Sequence, residues 1–298
     1  MTVTNPSFEQ ATAVHPLPEH AATSPAGEVA ASGLADLSSG RNGFEGPLVY
    51  QTDVPNGWDI FGNTNGGTLL APVARAACHA SGRPDPVAVS AHYLQPGRPG
   101  PATITLVPTH QTRRFSTFQA TLSNEAGPLL TAVVTTGDLD DHDGPFFLDR
   151  TPPEIPPPAD CVQLGNEDGA PNFSSHVTMS IFKPDAEFFG GGGERTGRLR
   201  GWVRLPGETL PDGFGLIQAI DSFPPAAFNT GVGLAYSPTL QLSTHMRARP
   251  KSRDLLVDTV TRSIGGGFAE IEETVWDDAR NLVAQGRQLC VVRTAPTS

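Results

Sequence analysis

The positions able to do chemistry are few. Asp221 stands in the run IDSFPP (220–225), with Ile220 before it and Phe223 just beyond. Apolar company puts a carboxylate where it needs partners or a raised pKa, and that suits a general base. A helix cap or a solvated acid is the plainer reading of the same residue. Gln288 lies in LVAQGRQLCVV (282–292), in phase with Leu282, Ala284, Gly286, Cys290 and Val292. On a strand that phase is small and apolar, so it faces the core, and a buried carboxamide has to be hydrogen-bonded. An internal water or ligand site meets that need. Gln285 falls on the opposite phase with Arg287, a more polar face. Thr239 follows Pro238 at the head of a strand-like run, and taken alone it is an ordinary β residue. Gly66 and Gly67 open NGGTLLAPVARAA (65–77). Two residues without a Cβ permit close approach of the backbone to a sheet or ligand, or serve packing alone. Pro72 then either kinks this helix or marks its first turn.

Other chemistries find no support. There is no GxSxG nucleophile elbow. The glycine runs at 190–193 and 265–267 lack a Walker lysine or a dinucleotide context and read as loops. Cys78, Cys161 and Cys290 lie far apart, without CxxC or Cys/His spacing, so no metal site, no cofactor and no disulfide framework is expected. That usage fits a reducing, cytoplasmic setting. His92 and His245 have no metal-spaced partner and read as core or rim residues. Arg113 and Arg114 form a basic pair that suits a phosphate or a solvated strand end. The net charge of −11, with no basic cluster longer than two, argues against nucleic acid. The first ten residues, MTVTNPSFEQ, show no secretory pattern, and no run approaches the ~18–20 apolar residues of a membrane span.

The elements that must position these residues follow from periodicity. Residues 1–47 form an amino-terminal arm with little pattern. From Leu48 a strand is expected, then a helix over 66–81, a strand over 87–95, and three more strands up to 139, with a hairpin turn at 124–127. Residues 140–173 are rich in turns and proline and read as a linker. The order then returns over 174–298: strands near 176–182 and 197–205, a helix over 212–222, and four strands to the end. An offset of 153 positions pairs His92 with His245, Phe115 with Phe268, Thr121 with Thr274 and Leu129 with Leu282, without a gap. Strand, turn and strand match in register, which points to an internal duplication. Each half is one apolar helix with a run of long antiparallel strands, an α+β arrangement.

The helix NGGTLLAPVARAA, with the following VAVSAHYLQPGRPGP and RRFSTFQATL, resembles the central helix and strands of a hotdog fold. GWVRL, AIDSFPPA, PTLQLSTHMRA and LVAQGRQL are similar to the carboxyl-terminal hotdog of type II acyl-CoA thioesterases. The likeness covers most of 48–139 and 174–292 and leaves out the arm and the linker. It implies a double hotdog, two tandem repeats, that hydrolyses acyl-CoA to free acid and CoA. It also implies an Asp, a Thr and a Gln that activate a water, here Asp221, Thr239 and Gln288. Where the family often carries Gln after the two glycines, this chain has Thr68. At the 153 offset the three site residues face Thr68, Pro86 and Thr135, so only the second half carries the set. Backbone N–H groups near Gly66 and Gly67, or at the start of the second helix, are the expected oxyanion donors. A non-catalytic acyl-CoA binder and a hotdog hydratase or dehydratase are the alternatives. No Asp is followed five positions later by His, which counts against the latter. Exposed hotdog sheets often pair, so a homo-oligomer is a further possibility.

Overall fold

The computed structural model describes residues 7–17, 46–140, 144–165, 169–190, 192 and 195–294. In chain order the first half holds helix α1 (Phe8–Ala11), strands β1 (His15–Pro16) and β2 (Leu48–Val54), and a small pair β3 (Asp59–Ile60) and β4 (Asn63–Thr64). Helix α2 (Gly66–Ser81) comes next, then β5 (Asp85–Tyr93), β6 (Gly100–Gln111), β7 (Ser116–Asn124) and β8 (Gly127–Gly137). The second half holds β9 (Val162–Gln163), β10 (Thr178–Ile181), α3 (Lys183–Ala186), β11 (Arg198–Arg204) and α4 (Gly213–Ile220). It closes with β12 (Leu234–Tyr236), β13 (Thr239–Met246), β14 (Leu255–Gly265), β15 (Phe268–Asp277), β16 (Leu282–Val291) and β17 (Arg293–Thr294).

One antiparallel sheet of 13 strands runs β1-β2-β6-β7-β8-β5-β13-β16-β15-β14-β11-β10-β9. Its two flanks have matching orders. From one side they read β2-β6-β7-β8-β5, and from the other β11-β14-β15-β16-β13. The joint is β5 against β13, where Ser90 faces Ser243 and His92 faces Gln241. Strand alternation explains the wrapping: in β7, Ser116, Phe118, Ala120 and Leu122 point inward while the residues between them are more open. Gly266 and Gly267, at φ 60° and 85°, make the turn between β14 and β15, as a loop reading of that glycine run requires.

Helix α2 occupies the span expected for it. Asn65 caps its start, its Oδ1 accepting from the Thr68 N–H, and Gly82 at φ 66° ends it in the left-handed region. The helix runs through Pro72, which therefore lies inside it and not in its first turn. Gly67 to Ala74 and Ala76 to Cys78 are all buried. A helix apolar on nearly every side is one enclosed by its sheet. Helix α4 is shorter than the 212–222 expected: Asp212 caps its start by accepting from the N–H groups of Phe214 and Gly215, and Asp221 stands at its carboxyl end. All eight helical residues are buried.

The arm and the linker are more built than their composition suggests. Ser7 and Gln10 form a reciprocal capping box on α1, Phe8 packs on Trp58 with ring centres 5.8 Å apart, and β1 extends the sheet beyond β2. Residues 18–45 lie outside the described residues. In the linker the carbonyl of Pro156 accepts from Trp202 Nε1 at 2.8 Å, and β9 pairs with β10. His92 and His245 are both exposed, which rules out the core position for each.

Candidate active site

The site is assembled where the start of α2 meets the end of α4. Asp221, one residue past α4, turns its side chain away from its own helix and toward the first turn of α2. Its Oδ2 accepts the Gly67 N–H at 2.8 Å, and its backbone carbonyl accepts from Asn65 Nδ2 at 2.7 Å. The amino end of a helix carries partial positive charge and free N–H groups, so a carboxylate is held there by geometry and field together. The paired glycines are what permit the approach. A Cβ on Gly66 would stand 2.9 Å from Asp221 Oδ2 and 2.9 Å from the Tyr93 hydroxyl; one on Gly67 would stand 3.1 Å from the Gln218 Cα.

A buried polar network fixes the helix junction. Gln218 Nε2 donates to Asn65 Oδ1 at 2.8 Å, and the Thr68 hydroxyl donates to Gln218 Oε1 at 2.7 Å. Thr68, the departure from the family pattern, thus completes the hydrogen bonding of Gln218.

Gln288 comes from β16, whose alternation carries it inward. It is 7% exposed, whereas Gln285 and Arg287 on the opposite phase are more open. Its amide joins the other two members of the expected set. Thr239 Oγ1 donates to Gln288 Oε1 at 2.6 Å, and Gln288 Nε2 lies 3.2 Å from Asp221 Oδ1. Asp221, Thr239 and Gln288, drawn from a helix end and two strands, are therefore brought together, and Gln285 is not part of the cluster.

The same amide nitrogen donates to a second acid, Glu273 Oε1, at 2.9 Å. Glu273 sits on β15 opposite Gly286, where a Cβ would stand 2.7 Å from its Oε2. Glu273 is 3% exposed, and its Oε2 has no hydrogen-bond partner. Sequence reasoning passed over it. The signal was the alternation of Ala269, Ile271, Glu273 and Val275, which puts one acid on an otherwise apolar inward face.

Burial pushes the Asp221 carboxyl up from its usual value to about 6; the Gly67 N–H, Gln288, the Gly66 N–H and Asn65 pull against it. Glu273 is raised well above the ordinary carboxylate range, by burial first and by the charge of Asp221 second. Both carboxyls are thus biased toward the protonated form, and Asp221 is the more readily ionised of the two. Two like charges sharing one amide in a low-dielectric site would not both ionise.

The Gly66 and Gly67 amides were expected to face an oxyanion. In this structure the Gly67 N–H is directed at Asp221, and the Gly66 amide also stabilises that carboxylate. Their observed work is to hold the Asp221 carboxylate.

The cluster lies on the wall of a cavity of 440 Å³, lined also by Tyr93, Leu69, Ile271 and Pro238. A second, adjoining cavity of 670 Å³ shares Ile60, Phe61, Phe223 and Phe228 with it and continues past Phe173, Phe188 and Met179. Among the described residues no group of three or more His, Cys, Asp or Glu is arranged to hold a metal ion.

Residues 54–137 match the family profile described as the acyl-CoA thioesterase N-terminal domain, and residues 158–292 match the acyl-CoA thioesterase C-terminal domain. An uncharacterised protein of Mycobacterium tuberculosis is 26% identical over 82% of this chain and 91% of its own length. Among solved structures, a candidate thioesterase II from Thermobifida fusca YX is 29% identical with a TM-score of 0.75, covering 86% of this chain and 94% of its own. A hot dog fold protein from Alicyclobacillus acidocaldarius superposes with a TM-score of 0.77 at 18% identity, over 97% and 98% of the two chains. Acyl-CoA thioesterase II TesB2 from Mycobacterium marinum does so at 0.65 and 14%, over 97% and 99%. The last two likenesses are likenesses of fold, and with the antiparallel sheet around α2 they make this an α+β hotdog protein.

Proposed function

We propose that this chain, which belongs to the type II acyl-CoA thioesterase family, hydrolyses acyl-CoA thioesters to a free acid and CoA at the Asp221–Gln288–Thr239 cluster. The observation that carries this reading is the unbroken hydrogen-bond run from Thr239 through Gln288 to Asp221 on a cavity wall, ending in a carboxylate held at a helix start. A water placed between Asp221 and Gln288 directs one proton at the Asp221 carboxylate and accepts the Gln288 amide N–H on one lone pair, which leaves the other lone pair free to attack; the Thr239 hydroxyl, donating to Gln288 Oε1, orients that amide. The longest bond of the run, 3.2 Å between Gln288 and Asp221, is the one such a water would open.

In the reaction the water oxygen bonds to the thioester carbonyl carbon as its proton passes to Asp221, which is general-base catalysis without an acyl-enzyme. The carbonyl re-forms, the carbon–sulfur bond breaks, and the proton on Asp221 is returned to the departing thiolate. An Asp with a carboxyl near 6 is poised for both transfers. The 670 Å³ cavity, walled by Phe173, Phe188 and Met179, is the proposed acyl compartment.

The finer architecture belongs to the same reading. Two tandem hotdog repeats are supported by the matching strand orders of the flanks and by the facing of Ser90 and Ser243, 153 positions apart, at their joint. A cytoplasmic location is supported by three unpaired cysteines, and a homo-oligomer remains part of the same proposal. No helix among the described residues is long and apolar enough to cross a membrane.

The test is thiol release from a panel of acyl-CoAs of varied chain length, read with a thiol-reactive dye. Stoichiometric CoA and free acid are expected. Binding without release would make the chain a carrier, and a change in double bonds without free CoA would make it a hydratase.

A further inference from the structure

The cavity wall holds a donor that no group among the described residues uses. The Tyr93 hydroxyl, from the last residue of β5, is buried and without a hydrogen-bond partner. A phenol O–H taken out of water and left unpaired destabilises the fold, so each case needs a reason. Tyr93 lines the same cavity as Asp221, Thr239 and Gln288. Its hydroxyl and Asp221 Oδ2 both lie 2.9 Å from one point, the place where a Gly66 Cβ would stand.

The other donors near Asp221 are engaged. The Gly67 N–H points to Asp221, the Gln288 amide nitrogen to Asp221 and Glu273, the Thr239 hydroxyl to Gln288, and the Asn65 amide nitrogen to the Asp221 carbonyl. A thioester carbonyl attacked by a water on Asp221 develops negative charge on its oxygen, and in a closed site that charge needs a donor already in place. We propose that the Tyr93 hydroxyl is that donor and a catalytic residue of this chain, binding the thioester carbonyl oxygen in the ground state and more tightly as it becomes an oxyanion. The proposal rests on the thioesterase reading and adds a residue to it. Burial and the nearby Asp221 charge raise the phenol well above its ordinary value, so it stays a donor at any working pH. Thr64 Oγ1 is also buried on this wall without a partner among the described residues, but it does not adjoin Asp221 across Gly66; Ser237 Oγ, on the same wall, has the Cys290 thiol beside it.

Tyr93→Phe tests this with three readouts. Turnover should fall about 10²-fold with KM changed far less, the scale of one lost oxyanion donor. Thermal stability should hold or rise, because the deleted hydroxyl had no partner. Affinity should separate two unreactive analogues: a ketone with CH₂ for sulfur, which keeps the carbonyl, and a thioether with CH₂ for the carbonyl. The variant should bind the ketone about 5–10-fold more weakly, the scale of one hydrogen bond, and the thioether as well as the wild type does. Turnover of Tyr93→Phe within twofold of the wild type, or an equal loss for both analogues, would overturn the assignment. If the wild type released no thiol, the hydrolase reading would fall while the analogue pair still decided the carbonyl contact.

Discussion

Replacing Gln288 with Met keeps the length of the side chain and removes its amide. In the wild type that amide is one of the groups holding the Asp221 carboxyl down against burial, leaving it at about 6. A hydrogen bond to a charged group contributes about 1.5–3 kcal/mol, and one pKa unit corresponds to about 1.4 kcal/mol, so its loss raises the carboxyl by about one to two units. The bond is long, 3.2 Å, which favours the lower figure. Removing a donor from an anion favours the protonated form, so the sign is upward. Glu273 loses the same donor and moves upward too. The dependence of kcat/KM on pH should therefore have its lower inflection near 6 in the wild type and about one unit higher in Gln288→Met. Activity should also be lower at every pH, since the water loses a contact and Thr239 loses its acceptor. The assay is thiol release at subsaturating acyl-CoA between pH 5 and about 9, the range bracketing both values. An inflection that stays in place or moves down in the variant would show that Gln288 does not touch the ionised base.

Gly66→Ala places a Cβ 2.9 Å from both Asp221 Oδ2 and the Tyr93 hydroxyl, so one of them must move; turnover should drop by about 10²-fold, the usual result of a small misplacement of reacting groups, with the protein still folded by circular dichroism. Glu273→Gln replaces an acid that burial biases toward its neutral form with a neutral group of the same shape, so melting temperature should hold and the wild-type inflection near 6 should shift little. A downward shift of a unit or more would mean that Glu273 is charged beside Asp221.

Local signals in the chain were enough for the parts of this fold that local forces decide. Two glycines opening an apolar run point to a helix over 66–81, and α2 fills that span. Period-two alternation separated Gln288 from Gln285, because a one-residue shift on a strand reverses the face. What stayed hidden depends on contacts between distant segments. Nothing near Asp221 in sequence says that its carboxylate meets an amide 154 positions earlier, so Gly66 and Gly67 looked like oxyanion donors. Glu273 was masked by its neighbours Glu270 and Glu272, which give the strand the look of a solvated charged face. Only the pairing with Gly286 reveals the space made for it. The arm was passed over because its helix is four residues long and stands on one capping box and one ring contact.

Asp221→Asn is the most direct measurement. The amide matches the carboxylate in size and can still accept the Gly67 N–H through its oxygen, so fold and substrate binding should persist. It cannot take a proton from water. Thiol release from the best acyl-CoA of the panel should fall by about 10²-fold or more in kcat, the scale of a lost general base, with the melting temperature unchanged or higher. Turnover within a few-fold of the wild type, in a folded Asp221→Asn protein, would mean that Asp221 only joins α4 to α2 and that the base lies elsewhere.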